Sequence, residues 1–436
     1  MSNPSIGSIL MISAHGYVGA EPEFGKPDTG GQVVFVLELA KRFSRLGYNV
    51  DVLTRQFEDQ PAEDRINRNL RVLRIPFGGR NFIPKEQMHE FLPDFITNFL
   101  AEVNRKGLSY DVVNSHYWDA GYSGQRIAEE LNVPHIHTPH SLGWWKRKDM
   151  KGSRKDLERT YRFDDRIDKE FLVYRNCDHI IATTTQQVDI LNEAYGIPRD
   201  HITMVPPGID ESRYTPKRPH NVEELREKLG FRDTDVYCVG RAATNKGIDL
   251  LIMALPELRK VVPKARLQLA IGANSKRDQS RVESWKELAR ELGVSRSIKW
   301  RGYIPDEEMA DMYRAAAVFA LPSRYEPFGM TAIEAMACGT PTVVTVHGGL
   351  HEVIDYGTHA LYADPKEPME FATALAIPMK YPAIRDRMSL EGARYSRRNF
   401  GWTGVAKRTL AVFDQFRGRY ANLREAEEPE YSEAVM

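Results

Sequence analysis

Cysteine is scarce. Cys177, Cys238 and Cys338 are the only three in 436 residues, odd in number, far apart and outside CxxC spacing. That excludes a disulfide framework and a structural zinc site, and it fits a reducing compartment. Net charge is missing too. Sixty Lys and Arg balance sixty Asp and Glu, so the basic excess of a general nucleic-acid binder is absent. The opening MSNPSIGSILMIS has no basic segment, and its apolar run is too short for a signal peptide or a membrane span. That run, Ile9 to Ile12, reads as a first buried strand. There are no internal repeats and no low-complexity tract. These absences predict a cytoplasmic protein with no membrane span and no nucleic-acid partner.

What is present is a repeated alternation. Apolar SILMIS is followed by amphipathic VVFVLELAKRFSRLG and then NVDVLTR, and DVVNSHYW by GYSGQRIAEELN and then PHIHTPHS. Strand, helix, strand in that order implies α/β architecture, with parallel sheets covered by helices on both faces. A chain of 436 residues exceeds what one core sustains, so two domains are expected. The pattern restarts at VYCVGRAATNKGIDLLIMAL. Residues 1–207 form the expected first domain and 208–402 the second. The segment from Pro206 to about Pro219 is the expected linker. A last helix, about 403–424, follows the second sheet and is free to pack back on the first domain. An acidic tail, 425–436, closes the chain.

Four segments carry chemistry. KPDTGGQ, Lys26 to Gln32, joins the first strand to a helix. Gly30 and Gly31 allow close backbone approach, and helix N-terminal N–H groups favour an anion or a hydroxyl-rich ligand. A plain tight turn fits equally, and the segment is not GxGxxG, which weakens a nicotinamide-binding reading. HTPHSLGWWKRK places His140 at a strand's carboxyl end, where α/β sheets bind ligands. Lys146, Arg147 and Lys148 follow two tryptophans, a mixture that suits a sugar phosphate; a solvated face is the alternative for the cations. GRAATNKG is not a phosphate-binding Walker loop, yet Arg241 and Lys246 flank a strand–helix turn and could reach a diphosphate. A strand-end turn with surface cations competes with that. The fourth, SRYEPFGMTAIEAMACGTPTVVT, is the most specific. Glu326 precedes a Pro-Phe-Gly turn, and Glu334 lies on the helix that the turn starts. Carboxylates accept paired hydroxyl hydrogen bonds, so one suits a sugar and the other a ribose. Gly329 lets backbone N–H groups approach the sugar.

Taken together, PDTGGQ, SHYWDAG, HTPHSLG, PPG, GR..NKG and EPFGMTAIEAMACGTPTV resemble the retaining GT-B glycosyltransferases of the sucrose-synthase and sucrose-phosphate-synthase type, over nearly the whole chain. The resemblance implies two Rossmann-like doubly wound domains facing a central cleft. It implies a nucleotide-sugar donor and a sugar-phosphate acceptor, with mannose moving from GDP-mannose to fructose 6-phosphate. By position it implies that Gly30, Gly31 and Gln32 form the acceptor loop, that Lys85, Lys146 and Arg166 hold the acceptor phosphate, and that Tyr117 and Asp119 line the acceptor pocket. His140 would contact the donor sugar, and Arg241 and Lys246 the diphosphate. Glu326 and the backbone at Phe328, Gly329 and Met330 would hold donor hydroxyls, and Glu334 the ribose. No protein nucleophile is assigned, although a double displacement through a carboxylate is the competing mechanism. No metal site and no required cofactor follow, which leaves stimulation by Mg²⁺ open.

One departure stands out. Sucrose-phosphate synthases usually carry an RPDxKKN-like segment where this chain has GRAATNKG. Glucose transfer from UDP- or ADP-glucose is therefore the runner-up. An epimerase or a hydrolase sharing the architecture should turn over the donor without any acceptor. A sugar-phosphate-binding regulator on a transferase fold is the reading without catalysis, and the joint presence of Arg241, Lys246, Glu326 and Glu334 argues against it.

Overall fold

The computed structural model describes residues 7–20, 28, 31–150, 153–217, 219–273, 275–326 and 328–427. The chain divides into two compact units, one of residues 1–206 with 405–436 and one of residues 207–404.

The first unit is an eight-stranded sheet. Its strands are β1 (Ser8–Ile12), β2 (Asn49–Gln56), β3 (Glu63–Asn67), β4 (Leu70–Pro76), β5 (Val112–His116), β6 (His135–Thr138), β7 (His179–Ala182) and β8 (Ile202–Met204). Their order is β3-β4-β2-β1-β5-β6-β7-β8, and only the β3–β4 pair is antiparallel. The central strands are buried along their length, so SILMI reads as a continuous apolar run, while β5 also buries the polar Asn114, Ser115 and His116. Leu10, Ile12, Phe95, Phe99 and Trp118 belong to one of its cores.

The second unit holds β9 (Asp235–Arg241), β10 (Arg266–Gly272), β11 (Ile298–Trp300), β12 (Val318–Leu321), β13 (Thr342–Thr345) and β14 (Leu361–Ala363), all parallel, in the order β11-β10-β9-β12-β13-β14. Successive side chains leave a strand on opposite faces. Val236 and Cys238 of β9, with Val318 and Ala320 of β12, enter one core, while Tyr237 and Phe319 enter the other. The three cysteines are buried packing residues, and burial pushes each thiol's pKa up.

Two segments differ from the sequence expectation. The Pro206–Pro219 stretch is not a loose tether. Ile209 and Tyr214 sit in a core of the second unit, and Ile209 N–H donates to Phe400 O at 2.7 Å. Arg314 also donates to the carbonyls of Arg213 and Thr215, and Glu211 accepts from the Trp402 N–H. The last helix runs Trp402–Glu427, past the expected end near 424, and residues 428–436 lie outside the described residues. The Phe413 ring packs tilted against Phe43 at 5.7 Å between centroids and Phe416 against His179 at 5.2 Å, within the first unit.

Gly247 closes the turn after β9 with φ +64°, and a Cβ there would stand 1.9 Å from the carbonyl oxygen of Pro322. Gly293 has nearly the same φ, +67°, with nothing within 4 Å. Gly247→Ala should therefore cost roughly 2–4 kcal/mol through strain and overpacking, against about 1 kcal/mol for Gly293→Ala. Urea unfolding midpoints of the two variants test this, and equal losses would contradict the close approach.

Candidate active site

In a parallel sheet, chemistry collects beyond the carboxyl ends of the strands. In the first unit those ends are the residues after β1, β5 and β6. His15 follows β1, Tyr117 and Asp119 follow β5, and His140 follows β6. His15 Nδ1 lies 2.8 Å from Asp119 Oδ2, while Asp119 Oδ1 is buried with no hydrogen-bond partner. Tyr117 takes a positive φ of +79°, held where its N–H donates to Thr138 O at 3.0 Å. Its ring meets that of His15 edge-on, 4.8 Å between centroids.

His140 also has positive φ, +57°. Gln187 braces this turn: its Nε2 donates to His140 O at 3.0 Å, while its Oε1 accepts from the Thr183 N–H at 2.8 Å. The His140 ring packs edge-on to Phe35, and its Nε2 lies 3.0 Å from His116 Nδ1. Burial, then the nearby His15, pulls the His140 pKa down to about 3, so the ring is neutral.

The expected phosphate cations lie close enough for the charges of Arg166 and Lys85 both to act on Lys146, and each is in a different state. Arg166 is buried. Its Nε donates to Glu170 at 2.8 Å, Nη1 to Tyr117 Oη at 2.8 Å, and Nη2 to Ser141 O at 2.8 Å and Ser141 Oγ at 3.3 Å. Four of its five N–H groups are thus engaged, leaving one Nη1 hydrogen for a ligand. Glu170 is in turn held by the Gly143 N–H and the Tyr195 hydroxyl. Lys85 begins a short 3₁₀ helix, Lys85–Glu90, and pairs with Asp28 and, at 3.3 Å, with Glu86. Burial draws the Lys85 pKa down, but the Asp28 and Glu86 carboxylates more than offset it and leave it raised. The loop before it is anchored by Arg55, whose guanidinium donates to the carbonyls of Phe77, Gly78, Gly79 and Asn81.

Lys146, on the helix Gly143–Asp149, makes no ion pair among the described residues and lies 5.6 Å from the Tyr161 ring centroid. Burial, then the charges of Arg166 and Lys85, lowers its pKa. In the acceptor loop, Gly30 lies outside the described residues. Gly31 opens the helix Gly31–Arg45 and is exposed. Gln32 Nε2 donates to His116 O at 3.2 Å and Ser13 Oγ at 3.3 Å, which ties the loop to the strand ends.

In the second unit, the GRAATNKG turn and the loop 322–330 are locked together. Arg324 grips Asp249 with both Nη groups, at 2.8 and 2.6 Å, and its N–H donates to Asn245 O. Lys246 Nζ then donates to Glu326 Oε2 at 2.6 Å, and Ser323 Oγ reaches the same oxygen at 3.1 Å. Glu326 N–H donates to His347 O at 3.0 Å. Arg241 is exposed, and its side chain has no polar partner among the described residues. The Phe328 side chain is buried against Phe400, so only its backbone is free for a ligand. Gly329 has φ +96°, where a Cβ would meet Leu321 at 2.8 Å, and it caps the helix Met330–Ala337. Glu334 accepts from Tyr313 Oη at 2.8 Å. Burial raises its pKa to about 7, against the opposing Tyr313 hydrogen bond and Arg213 charge.

Sequence reasoning missed His15, His116, Gln187, Ser323, Arg324 and Tyr313. His116 lies within SHYWDAG, and Ser323 and Arg324 open SRYEPFG, but their partners, apart from the nearby Glu326, come from strands or loops far along the chain, so the motifs alone gave them no role. Among the described residues, no cluster of three His, Cys, Asp or Glu side chains is arranged to hold a metal ion, and no helix is long and apolar enough to cross a membrane.

The chain is similar to known proteins over most of its length. Residues 29–213 match the family described as Glycosyltransferase Family 4, and residues 221–394 match Glycosyl transferases group 1. Mannosylfructose-phosphate synthase from Agrobacterium fabrum is 48% identical over 93% of this chain and 91% of its own. D-inositol 3-phosphate glycosyltransferase from Corynebacterium jeikeium is 34% identical over 93% of this chain and 96% of its own. Among solved structures, sucrose-phosphate synthase from Thermosynechococcus elongatus superposes with a TM-score of 0.69 at 27% identity, covering 95% of this chain and all of that one.

The Glu334 environment has a measurable consequence. Between its ordinary value of 4.5 and about 7, the folded state keeps a proton that the unfolded state has released. Stability therefore falls as pH rises through that window, by roughly 3 kcal/mol. Glu334→Gln should lack this slope and be the more stable form above pH 7. Urea unfolding of both proteins across the window checks it; parallel curves would show that Glu334 titrates normally.

Proposed function

The chain belongs to the GT-B glycosyltransferases of the mannosylfructose-phosphate synthase type, and from that premise we propose that it moves mannose from GDP-mannose onto fructose 6-phosphate with retention of configuration. The observation that carries the acceptor is the grouping of Lys85, Lys146 and Arg166, near enough for the first and last to act on the charge of Lys146. Lys146 stands without a carboxylate partner, its charge disfavoured by burial and by Arg166 and Lys85. A phosphate dianion relieves that repulsion through charge-assisted hydrogen bonds. His15 and Asp119 beside Tyr117 supply polar atoms for the acceptor's hydroxyls. The mannosyl group named in the product of the 48% identical relative supports an activated mannose as donor.

In the reaction, the bond from mannose C1 to the diphosphate oxygen breaks and the acceptor hydroxyl oxygen bonds to C1 on the same face. The hydroxyl proton passes to the departing phosphate oxygen, and GDP leaves. Arg241 and Lys246 stabilise the charge that grows on the diphosphate, where fixed cations act most strongly. Glu326 already holds Lys246 in place through their ion pair. Glu326, with the backbone at Phe328, Gly329 and Met330, takes the mannose hydroxyls, and Glu334 takes the ribose.

The deciding experiment is a panel of GDP-mannose, UDP-glucose and ADP-glucose against fructose 6-phosphate and fructose, with the anomeric configuration of the product read by NMR. GDP-mannose with fructose 6-phosphate should give the highest kcat/KM, with fructose lower by about 10²–10³ for the lost phosphate contacts. Lys146→Ala should depress use of fructose 6-phosphate and leave fructose nearly untouched. Preference for UDP- or ADP-glucose would turn the assignment to sucrose-phosphate synthesis, the activity named for the superposed structure. Equal use of the two acceptors would remove the phosphate from the reading.

The leaving-group role gives a separate test. Arg241→Ala should lower kcat by roughly 10²–10³ with little change in donor affinity, because the contact strengthens as charge develops. A raised KM at unchanged kcat would assign Arg241 to ground-state binding alone.

A further inference from the structure

Four histidines and a serine line the junction of β5 and β6, and their proton positions can be worked out one from the next. Gln125 Nε2 lies 2.8 Å from Glu129 Oε1 and 3.4 Å from Asn176 O, both acceptors only, so the amide nitrogen must face them. Its oxygen then faces His135 Nδ1 at 3.1 Å, and His135 must donate there. A neutral ring with its proton on Nδ1 has a bare Nε2, which accepts from Ser115 Oγ at 2.6 Å. With its own hydrogen used, Ser115 Oγ can only accept from His137 Nδ1 at 2.8 Å. His137 Nε2 is left bare, and it is a buried nitrogen with no partner. Here, where the network dictates the answer, the orphaned ring nitrogen is the one without a hydrogen. That agrees with the general rarity of buried N–H groups lacking an acceptor.

His116, next along β5, repeats the situation. Its Nε2 is buried without a partner, and its Nδ1 lies 3.0 Å from His140 Nε2. The same burial keeps both rings neutral, so one proton lies between the two nitrogens. Had His140 given that proton, His116 would carry its own on the orphaned Nε2. Gln32 fixes the backbone of the donor residue by bonding to His116 O.

We propose that His116 is a positioning residue that sets the tautomer of His140: His116 Nδ1–H donates to His140 Nε2, and His140 therefore presents Nδ1–H as a fixed donor to a sugar oxygen of the bound substrate. His140 Nδ1 has no partner among the described residues and is left open for this. His140 is then a neutral hydrogen-bond donor and not a base. The inference rests on the glycosyltransferase reading for the ligand, but the His116–His140 bond stands on geometry alone.

The test is a long-range ¹H–¹⁵N correlation spectrum of the full chain labelled at histidine, with the His140 signals identified by their loss in His140→Ala. Expected is a protonated Nδ1 and a bare Nε2 on His140; the proton on Nε2 overturns the proposal, and this needs no variant of His116. His116→Leu removes the donor. It should mix the His140 tautomers and lower kcat about tenfold, the worth of one neutral hydrogen bond. His116→Asn, whose amide nitrogen can stand near the Nδ1 position, should restore the Nδ1–H tautomer and most of the lost rate. An unchanged His140 tautomer in His116→Leu overturns the proposal. Unchanged kcat in His140→Ala, with the tautomer as expected, instead overturns the sugar-contact reading and leaves the His116–His140 bond standing.

Discussion

Parallel strand order is the constraint on which the rest of the molecule depends. β1 lies between β2 and β5, and β5 beside β6, all running the same way. Because their carboxyl ends share one edge, residues a hundred positions apart become hydrogen-bond partners. His15 and Asp119 meet only because β1 and β5 are neighbours. The same rule in the second sheet brings the turn after β9 beside the loop after β12. There Gly247 touches Pro322 backbone to backbone, and Lys246 reaches Glu326.

The electrostatics of the two units differ accordingly. In the first, burial holds the imidazoles of His116, His135, His137 and His140 neutral, while Arg166 keeps its charge. Arg166 does so by taking Glu170 into the interior with it, a carboxylate itself satisfied by the Gly143 N–H and the Tyr195 hydroxyl. A buried pair of this kind is tolerable only when its remaining polar atoms are bonded. In the second unit Lys246 with Glu326 and Arg324 with Asp249 pair across loops at partly exposed positions.

Sequence alone disclosed the architecture, because alternating patterns are local signals, and it singled out the candidate loops for the same reason. Apolar runs alternate with amphipathic ones, and EPFG opens a helix whose Glu334 is four residues in. Lys85, Lys146 and Arg166 were identified through a family resemblance; their surroundings were not. Nothing in FDDRIDKE tells that Arg166 spends most of its donors on Glu170, Tyr117 and Ser141. Gln187 looked like an ordinary helix residue, yet it braces a strained His140. The stretch after Pro206 is a similar case: proline and charge marked a boundary, and the units divide between residues 206 and 207, while the burial of Ile209 and Tyr214 in the second unit went unread. Each shortfall is a tertiary contact, invisible until strand order is known.

The last helix imposes an order on the molecule's synthesis. Residues 207–404 are continuous in sequence, and everything their sheet needs has been made once they have left the ribosome. The first unit, begun earlier, lacks Phe413, Phe416 and Arg417, which cover Phe43, His179 and Asp111, until the final residues emerge. The half of the chain that starts first therefore finishes last. It must wait with apolar surface uncovered while an entire domain is translated, so the nascent protein is most vulnerable to aggregation in its amino-terminal half.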